Sequence, residues 1–272
     1  MGRIRKGWEL AKQSLTVVRQ DGSLSAIVIL GAIATAFVAL ALFIPAAFFQ
    51  SDDNSVVAGI FAAVGAYVAT FVGTFFAVAL AAAAGEVLDG KDATVASGIA
   101  VARRHIRAIA GWALVLTTVN LVLQALRERV GWLGDMLIGA VGVAWGLATF
   151  FVIPTLAVQD IGPIDAVKRS ATLFRAKWGE QLVGTASIGI LFFLLGFVPA
   201  IILVAIGVAI SEAAVTITLI VIAVLIVVAA TILGSAARSV FSVALYRHAI
   251  GDGATGPFSA GDLQAAVTQK RR

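Results

Sequence analysis

The chain contains no cysteine and only two histidines, which narrows the chemistry it can perform. Without cysteine it forms neither disulfides nor thiolate metal sites. His105 and His248 are 143 positions apart and belong to no metal-binding motif. An intramembrane enzyme would need a nucleophile, paired carboxylates or a metal site, and the sequence shows none of these. We therefore expect no enzymatic activity, no metal and no cofactor.

Charged residues are also scarce. They make up 13% of the 272 residues, whereas a soluble domain has roughly 25%. Hydrophobic residues make up 60%, and the mean hydropathy is +1.02. So few polar side chains cannot cover a water-soluble globule of this size. The apolar residues form continuous runs rather than the alternation of a membrane β-barrel, so the sequence predicts an all-α membrane protein.

Six apolar runs are each long enough to cross the bilayer core, which takes about 20 helical residues. We expect six transmembrane helices in three hairpins, and the first run is too long for a signal peptide. The runs cover residues 24–49, 56–84, 109–126, 136–158, 182–210 and 215–245.

The basic residues predict the orientation of these spans. Of the 20 lysines and arginines, 18 lie in the termini and alternate connections or, like Arg238, near the adjoining span ends, and only Arg127 and Arg129 lie on the other side. The positive-inside rule then predicts a multi-pass protein of the plasma (inner) membrane, with both termini in the cytoplasm. The net charge of +5 is interpreted as attraction to anionic lipid rather than to nucleic acid.

Three basic segments, each preceding a hairpin, carry an apolar residue at alternating steps of three and four. This spacing predicts amphipathic helices over residues 4–18, 95–109 and 164–178, lying in the cytoplasmic headgroup layer. The side chains expected to contact headgroups are Trp8, Lys12, Arg103, Arg104, Lys168, Arg169, Arg175, Lys177 and Trp178.

The chain therefore divides into a single six-helix membrane domain, residues 1–250, and a tail. Within the domain, three units cover residues 1–90, 91–160 and 161–250. A shift of 156 positions pairs Lys12 with Lys168 and Ser14 with Ser170. This similarity indicates either a repeat or the general likeness of basic amphipathic helices. Residues 251–272 are rich in glycine and basic at the end, which predicts a flexible cytoplasmic tail.

Three polar side chains fall inside or close to the spans. Asn120 and Gln124 are one turn apart, and such amides either bond neighbouring helices or line a polar cavity. Arg238 either extends its charge to the headgroups or makes an ion pair or a substrate contact within the bundle.

A motif lies between the fourth and fifth spans and comprises Asp160, Gly162, Pro163, Asp165 and Ser170. Pro163 suits the first position of a helix, and Asp165 suits the first turn, where a carboxylate meets the positive helix end. The pattern resembles one found in six-span bacterial and archaeal proteins of uncharacterised function. It is also similar to the membrane domain attached to some glycerophosphodiester phosphodiesterases.

The ends of the chain resemble one family more specifically, the family of unknown function DUF6159. A Leu-Tyr-Arg pattern follows the last span, as in that family. The resemblance implies a fold and a membrane but no activity. The residues that carry it are Gly7, Trp8, Glu9, Leu10, Ala11, Lys12, Gln13, Ser14, Arg19, Gln20 and Asp21, then Leu245, Tyr246 and Arg247.

These features together predict a non-enzymatic integral membrane protein that engages anionic lipid. It would organise the bilayer, a membrane protein partner or a second copy of the chain. A transporter or channel for a small or lipidic substrate is the alternative.

Overall fold

The computed structural model describes residues 13–14, 16–18, 21–51, 54–178, 184–210, 212–252 and 258. Within these residues the chain is helical with short connections and has no β-strand. The helices with defined bounds are α1 (Gly22–Ser51), α2 (Ser55–Leu88), α3 (Val95–Arg104), α4 (Ile106–Arg127), α5 (Trp132–Ala148), α6 (Val152–Val158), α7 (Pro163–Trp178), α8 (Gly184–Ile210) and α9 (Ala213–Ile250).

Six segments of these helices are long and apolar enough to cross a membrane, which confirms the predicted all-α, six-span fold. The third is longer than predicted, because it begins at Ile106 rather than at residue 109. The six segments are Gly22–Gln50, Ser55–Leu88, Ile106–Arg127, Gly134–Val158, Phe193–Ile210 and Ala214–Ile250.

The amphipathic helices agree with the sequence to different degrees. α7 begins at Pro163, as predicted. The predicted helix over 95–109 is wrong in its last part, because α3 ends at Arg104 and Ile106 already belongs to the third span. His105 separates the two helices, with φ −97° and ψ 16°. Of the predicted helix over 4–18, most residues lie outside the described ones, including Trp8 and Lys12.

The fourth span is broken between α5 and α6. Proline lacks an N–H, and its ring clashes with the carbonyl four residues earlier, so Pro154 disturbs the helix at Phe150. The break lies there: Phe150 N–H bonds Leu147 O, three residues back, and Val152 N–H bonds Thr149 O in the same way. A hydroxyl compensates in part, because Thr149 Oγ1 donates at 3.5 Å to Gly146 O, the carbonyl that Phe150 N–H would bond in a regular helix.

Helices α2 and α9 end in the same way. Gly90 (φ 72°) and Gly251 (φ 81°) adopt the left-handed conformation that glycine tolerates. After each glycine, the chain bonds back across the last turn: Lys91 N–H donates to Glu86 O, and Asp252 N–H donates to Arg247 O. These are Schellman motifs, which satisfy the last carbonyls of a helix.

The chain forms two compact units. The first comprises Met1–Ser25, Gly85–Asp92 and Trp178–Arg272. In it α8 and α9 form an antiparallel hairpin, with Thr216 Oγ1 donating to Gly207 O at 2.7 Å. In the middle of α8, a Cβ on Gly196 would lie 2.7 Å from that of Ala230, so glycine permits the close approach. Phe258 is buried and packs edge-on against Phe241, while most of the predicted flexible tail lies outside the described residues.

The second unit comprises Ala26–Ala84 and Ala93–Lys177. In it α1 and α2 are antiparallel, with Phe49 stacked on Phe61. α3 packs on α2 so closely that a Cβ on Gly98 would lie 2.6 Å from Ala79 O. The predicted division into three units, residues 1–90, 91–160 and 161–250, stays a prediction.

Within each unit, the buried side chains lie toward the span ends that adjoin the basic segments. In the second unit Val78, Ile109 and Val152 are fully buried, whereas large apolar side chains near the hairpin tips are exposed. The first unit shows the same contrast. Examples of the exposed side chains are Phe37, Phe48, Val56, Trp132 and Met136 in the second unit, and Ile201, Val208 and Ile217 in the first. Apolar surface of this extent suits contact with lipid.

Candidate functional site

Helix α7 presents three different faces. Ala166, Ser170 and Leu173 form the face that is buried in the protein. The predicted apolar stripe lies beside this face rather than on it, and Ile164 on that stripe is 54% exposed. The remaining face is exposed and basic. The predicted stripe comprises Ile164, Val167, Ala171, Phe174 and Trp178, and the exposed basic residues are Lys168, Arg169 and Arg175. The side chains of Lys177 and Trp178 lie outside the described part of the chain.

Ser170 connects α7 to the break in the fourth span. The hydroxyl of Ser170 accepts a hydrogen bond from Phe151 N–H at 2.9 Å, and both residues are fully buried. Phe151 lies directly before α6, so its N–H is not part of a regular helical ladder. An unpaired buried N–H would cost about 1–3 kcal/mol. Ser170 therefore has a structural role: it satisfies the backbone where Pro154 has disturbed the helix.

The first residues of the motif contact the α3–α4 junction. Asp160 Oδ1 lies 3.5 Å from His105 Nδ1, and the His105 side chain is only 13% exposed. Pro163 packs on α4 at Gly111, where a Cβ would lie 2.8 Å from Pro163 Cγ. The carbonyl of Gly162 accepts a hydrogen bond from Ala166 N–H at 2.9 Å, which closes the first turn of α7. The motif thus holds α7 against α4 and the fourth span.

Asp165 differs from the other motif residues, because its described contact is within its own helix. Its Oδ1 lies 3.4 Å from Lys168 Nζ, and both side chains are largely exposed. Such an exposed pair contributes little to stability. Asp165 instead suits the first turn of the helix, where the sequence placed it.

Helix α3 resembles α7 in arrangement. Gly98 and Ala102 are buried, while Arg103 and Arg104 are exposed in its last turn. Val95 and Ile99, on the predicted apolar stripe, are partly exposed. The helix begins with a capping box, in which Thr94 Oγ1 accepts from Ser97 N–H and Ser97 Oγ accepts from Thr94 N–H. α3 and α7 each place exposed basic side chains beside partly exposed apolar ones.

The predicted intramembrane polar residues do not join this site. Asn120 and Gln124 are exposed on the outer surface of α4, and neither amide has a hydrogen-bond partner among the described residues. Arg238 Nε donates to Gly234 O, one turn earlier on α9, at 3.3 Å. Within the described residues no carboxylate lies within 4 Å of Arg238, and no cluster of acidic and histidine side chains could hold a metal ion.

The sequence did not predict an ion pair between the ends of α2 and α9. Arg247 holds Asp89 with two hydrogen bonds, from Nη1 to Oδ1 at 2.5 Å and from Nη2 to Oδ2 at 3.3 Å. The Arg247 side chain is only 11% exposed. Gly85 leaves room for it, since a Cβ there would lie 3.2 Å from Arg247 Nη2. Bidentate arginine–carboxylate pairs of this kind are strong and have a specific geometry.

The Asp89 carboxylate is stabilised in its charged form. The hydrogen bonds from Arg247 hold the pKa of Asp89 below its ordinary value of 3.8 and outweigh partial burial, which alone would raise it. Lys91 Nζ, 3.7 Å from Asp89 Oδ2, acts in the same direction. The only signal of this pair in the sequence is Arg247 within the Leu-Tyr-Arg pattern, because its acidic partner is 158 positions away.

The role of Ser170 is tested by Ser170→Ala. We expect a loss of about 1–3 kcal/mol in the free energy of unfolding, because Phe151 N–H would be buried without an acceptor. Denaturant unfolding in lipid nanodiscs measures this change. Thr172→Ala is the matched control, because that exposed hydroxyl only bonds Lys168 O in its own helix. Equal stability of the Ser170→Ala and Thr172→Ala proteins would contradict the assigned role.

Because of the Asp89–Arg247 pair, we expect the stability of the fold to depend on pH. A carboxylate with a lowered folded-state pKa stabilises the fold above its ordinary pKa, and this contribution disappears as the pH falls through the lowered value. We expect Asp89→Asn to lower the thermal midpoint at neutral pH and to have little effect at a pH well below 3.8. Asp252→Asn is the control, because its carboxylate lies 4.0 Å from Arg247 and is half exposed. A pH-independent effect of Asp89→Asn would show that the charge is not what stabilises the fold.

Comparison with known proteins gives a family but no activity. No curated protein and no solved structure matches the chain. One family model matches residues 55–257, which include the motif, α7 and the Asp89–Arg247 pair. Its description is "Family of unknown function (DUF6159)". Because the match covers most of the 272 residues, the chain belongs to the DUF6159 family, as its sequence predicted.

Proposed function

We propose that the protein is a non-enzymatic component of the plasma (inner) membrane that engages anionic lipid through α3 and α7. With these helices it would organise the bilayer or a membrane partner. The observation that supports this proposal is the arrangement of α7, on which exposed Lys168, Arg169 and Arg175 border a partly exposed apolar stripe. A helix at the membrane surface needs both features, apolar side chains for the acyl boundary and cations for the headgroups.

The attachment of α7 to the rest of its unit strengthens the proposal. Ser170 bonds Phe151, and Pro163 packs on Gly111, so the helix is held by its small, buried face. Its basic side chains are therefore presented by a fixed backbone, and binding lipid does not require the helix to fold first. Each lysine or arginine near an anionic surface contributes about 1 kcal/mol of attraction.

The proposed orientation has both termini in the cytoplasm. The concentration of basic residues on one side of the spans supports it, because the inner leaflet carries the anionic lipid. The motif over residues 160–170 further suggests a relation to the membrane domain attached to some glycerophosphodiester phosphodiesterases. What supports that relation is the residue pattern alone.

A transporter or channel is the second candidate. The break in the fourth span favours it, because discontinuous helices commonly form the binding sites of transporters. In this chain, however, the freed N–H of Phe151 is bonded to Ser170, and Val152 and Leu156 beside the break are fully buried. Substrate-dependent flux through reconstituted vesicles would favour this second candidate.

The lipid proposal is tested by removing charges in pairs. We expect Arg103→Gln/Arg104→Gln and Lys168→Gln/Arg169→Gln each to lose about 2 kcal/mol of preference for anionic over zwitterionic lipid. The measurement is the stabilisation of the detergent-solubilised protein by added phosphatidylglycerol, compared with phosphatidylcholine.

The matched control is Arg127→Gln/Arg129→Gln, which removes two exposed charges from the opposite side of the spans. We expect this variant to retain the lipid preference. If all three double variants lost the preference equally, net charge would account for it and the role of α3 and α7 would be refuted.

A further inference from the structure

Helix α4 carries a polar stripe along one face of the third span. Thr117, Asn120, Gln124 and Arg127 recur at steps of three and four, so they lie within about one quarter of the helix circumference. The Thr117 hydroxyl is buried and has no hydrogen-bond partner among the described residues. Further along, Asn120 and Gln124 are exposed, and their amides have no partner in the described chain either.

These amides lie where lipid would otherwise surround them. Asn120 is seven residues before Arg127, which corresponds to about 10 Å along the helix axis. At that depth water is absent, and hydrocarbon cannot donate or accept a hydrogen bond. Leaving amides unbonded in such surroundings is costly. The stripe therefore requires a polar cover, and no described residue of its own unit provides one.

The neighbouring helix leaves open space on the same side. In α5, Gly139, Gly142 and Gly146 have no atom within 4 Å of where a Cβ would stand. Asp135 lies on this glycine face, since it precedes Gly139 by four residues. Its Oδ1 lies 3.4 Å from Arg127 Nε on the polar stripe. The ion pair thus places the two faces side by side in one surface, which we call the α4–α5 face.

We propose that the α4–α5 face binds a second copy of this chain within the membrane. A carboxamide both donates and accepts hydrogen bonds, so Asn120 and Gln124 can pair with the same residues across a two-fold axis. Arg127 and Asp135 neutralise each other, so the face favours no partner of opposite charge. The open glycines let a second helix approach closely, as interhelical hydrogen bonds require.

Cysteine cross-linking tests the geometry, because the chain has no cysteine of its own. We expect Gln124→Cys to form a disulfide-linked dimer in native membranes after mild oxidation. Val122→Cys is the control, because Val122 is 52% exposed on nearly the opposite side of α4. Equal cross-linking at both positions would reflect random collision and would contradict the proposal. So would an absence of cross-linking at position 124, or an adduct with a different protein.

Two further variants test what holds the dimer together. In lipid, we expect Asn120→Leu to weaken dimerisation about three- to tenfold through the loss of its hydrogen bonds, whereas Asn120→Gln keeps it. Gly142→Leu fills space that is empty in the single chain, so it should fold normally and fail to dimerise. Single-molecule photobleaching counts the copies, and thermal unfolding checks the fold. Dimers that persist in both Asn120→Leu and Gly142→Leu would refute the α4–α5 face as the interface.

Discussion

Peptide groups find no hydrogen-bond partner in hydrocarbon, and most features of this protein follow from that constraint. Along most of the six spans this constraint is satisfied by helices, because a helix pairs its own N–H and C=O groups. Pro154 interrupts the fourth span, and there side-chain hydroxyls replace lost backbone bonds: Thr149 Oγ1 donates to Gly146 O, and Ser170 Oγ accepts from Phe151 N–H. Ser170, which lies outside the span, therefore satisfies a backbone N–H within it, and this hydrogen bond fixes α7 to the fourth span.

The fixation of α7 connects the fold to the proposed function. Because Ala166, Ser170 and Leu173 face the protein, the basic residues of the same helix must face outward. The helix thus presents a defined pattern of charge next to apolar side chains rather than a loose basic segment. In the other unit, Asp89 and Arg247 join the ends of two long spans where each helix terminates at a left-handed glycine. Both arrangements lie at the span ends beside the basic segments, the part of each unit that is most tightly packed.

The sequence predicted the features that depend on local pattern. Apolar run length was sufficient to locate the six spans, and proline preference placed the start of α7 at Pro163. It failed where the outcome depends on contacts between distant residues. The periodicity over 95–109 continues through His105, so the end of α3 was not visible. On α7 the sequence showed the apolar stripe but not the face that packs on the protein, because the tight approach to α4 and the fourth span selects the small residues Ala166 and Ser170. The partner of Arg247 is 158 positions away and leaves no local signal.

The proposed orientation is tested by finding the side of the membrane on which the connections between the spans lie. Single cysteines introduced at Asn54, Arg129 and Glu212, and separately at Arg104 and Arg169, can be labelled in intact cells with a membrane-impermeant thiol reagent, since the chain has no cysteine. We expect labelling at the first three positions from outside, and at the last two only after the membrane is permeabilised. Labelling of Arg104→Cys and Arg169→Cys from outside would contradict the proposed orientation, because the basic faces of α3 and α7 would then lie on the side opposite to the anionic inner leaflet.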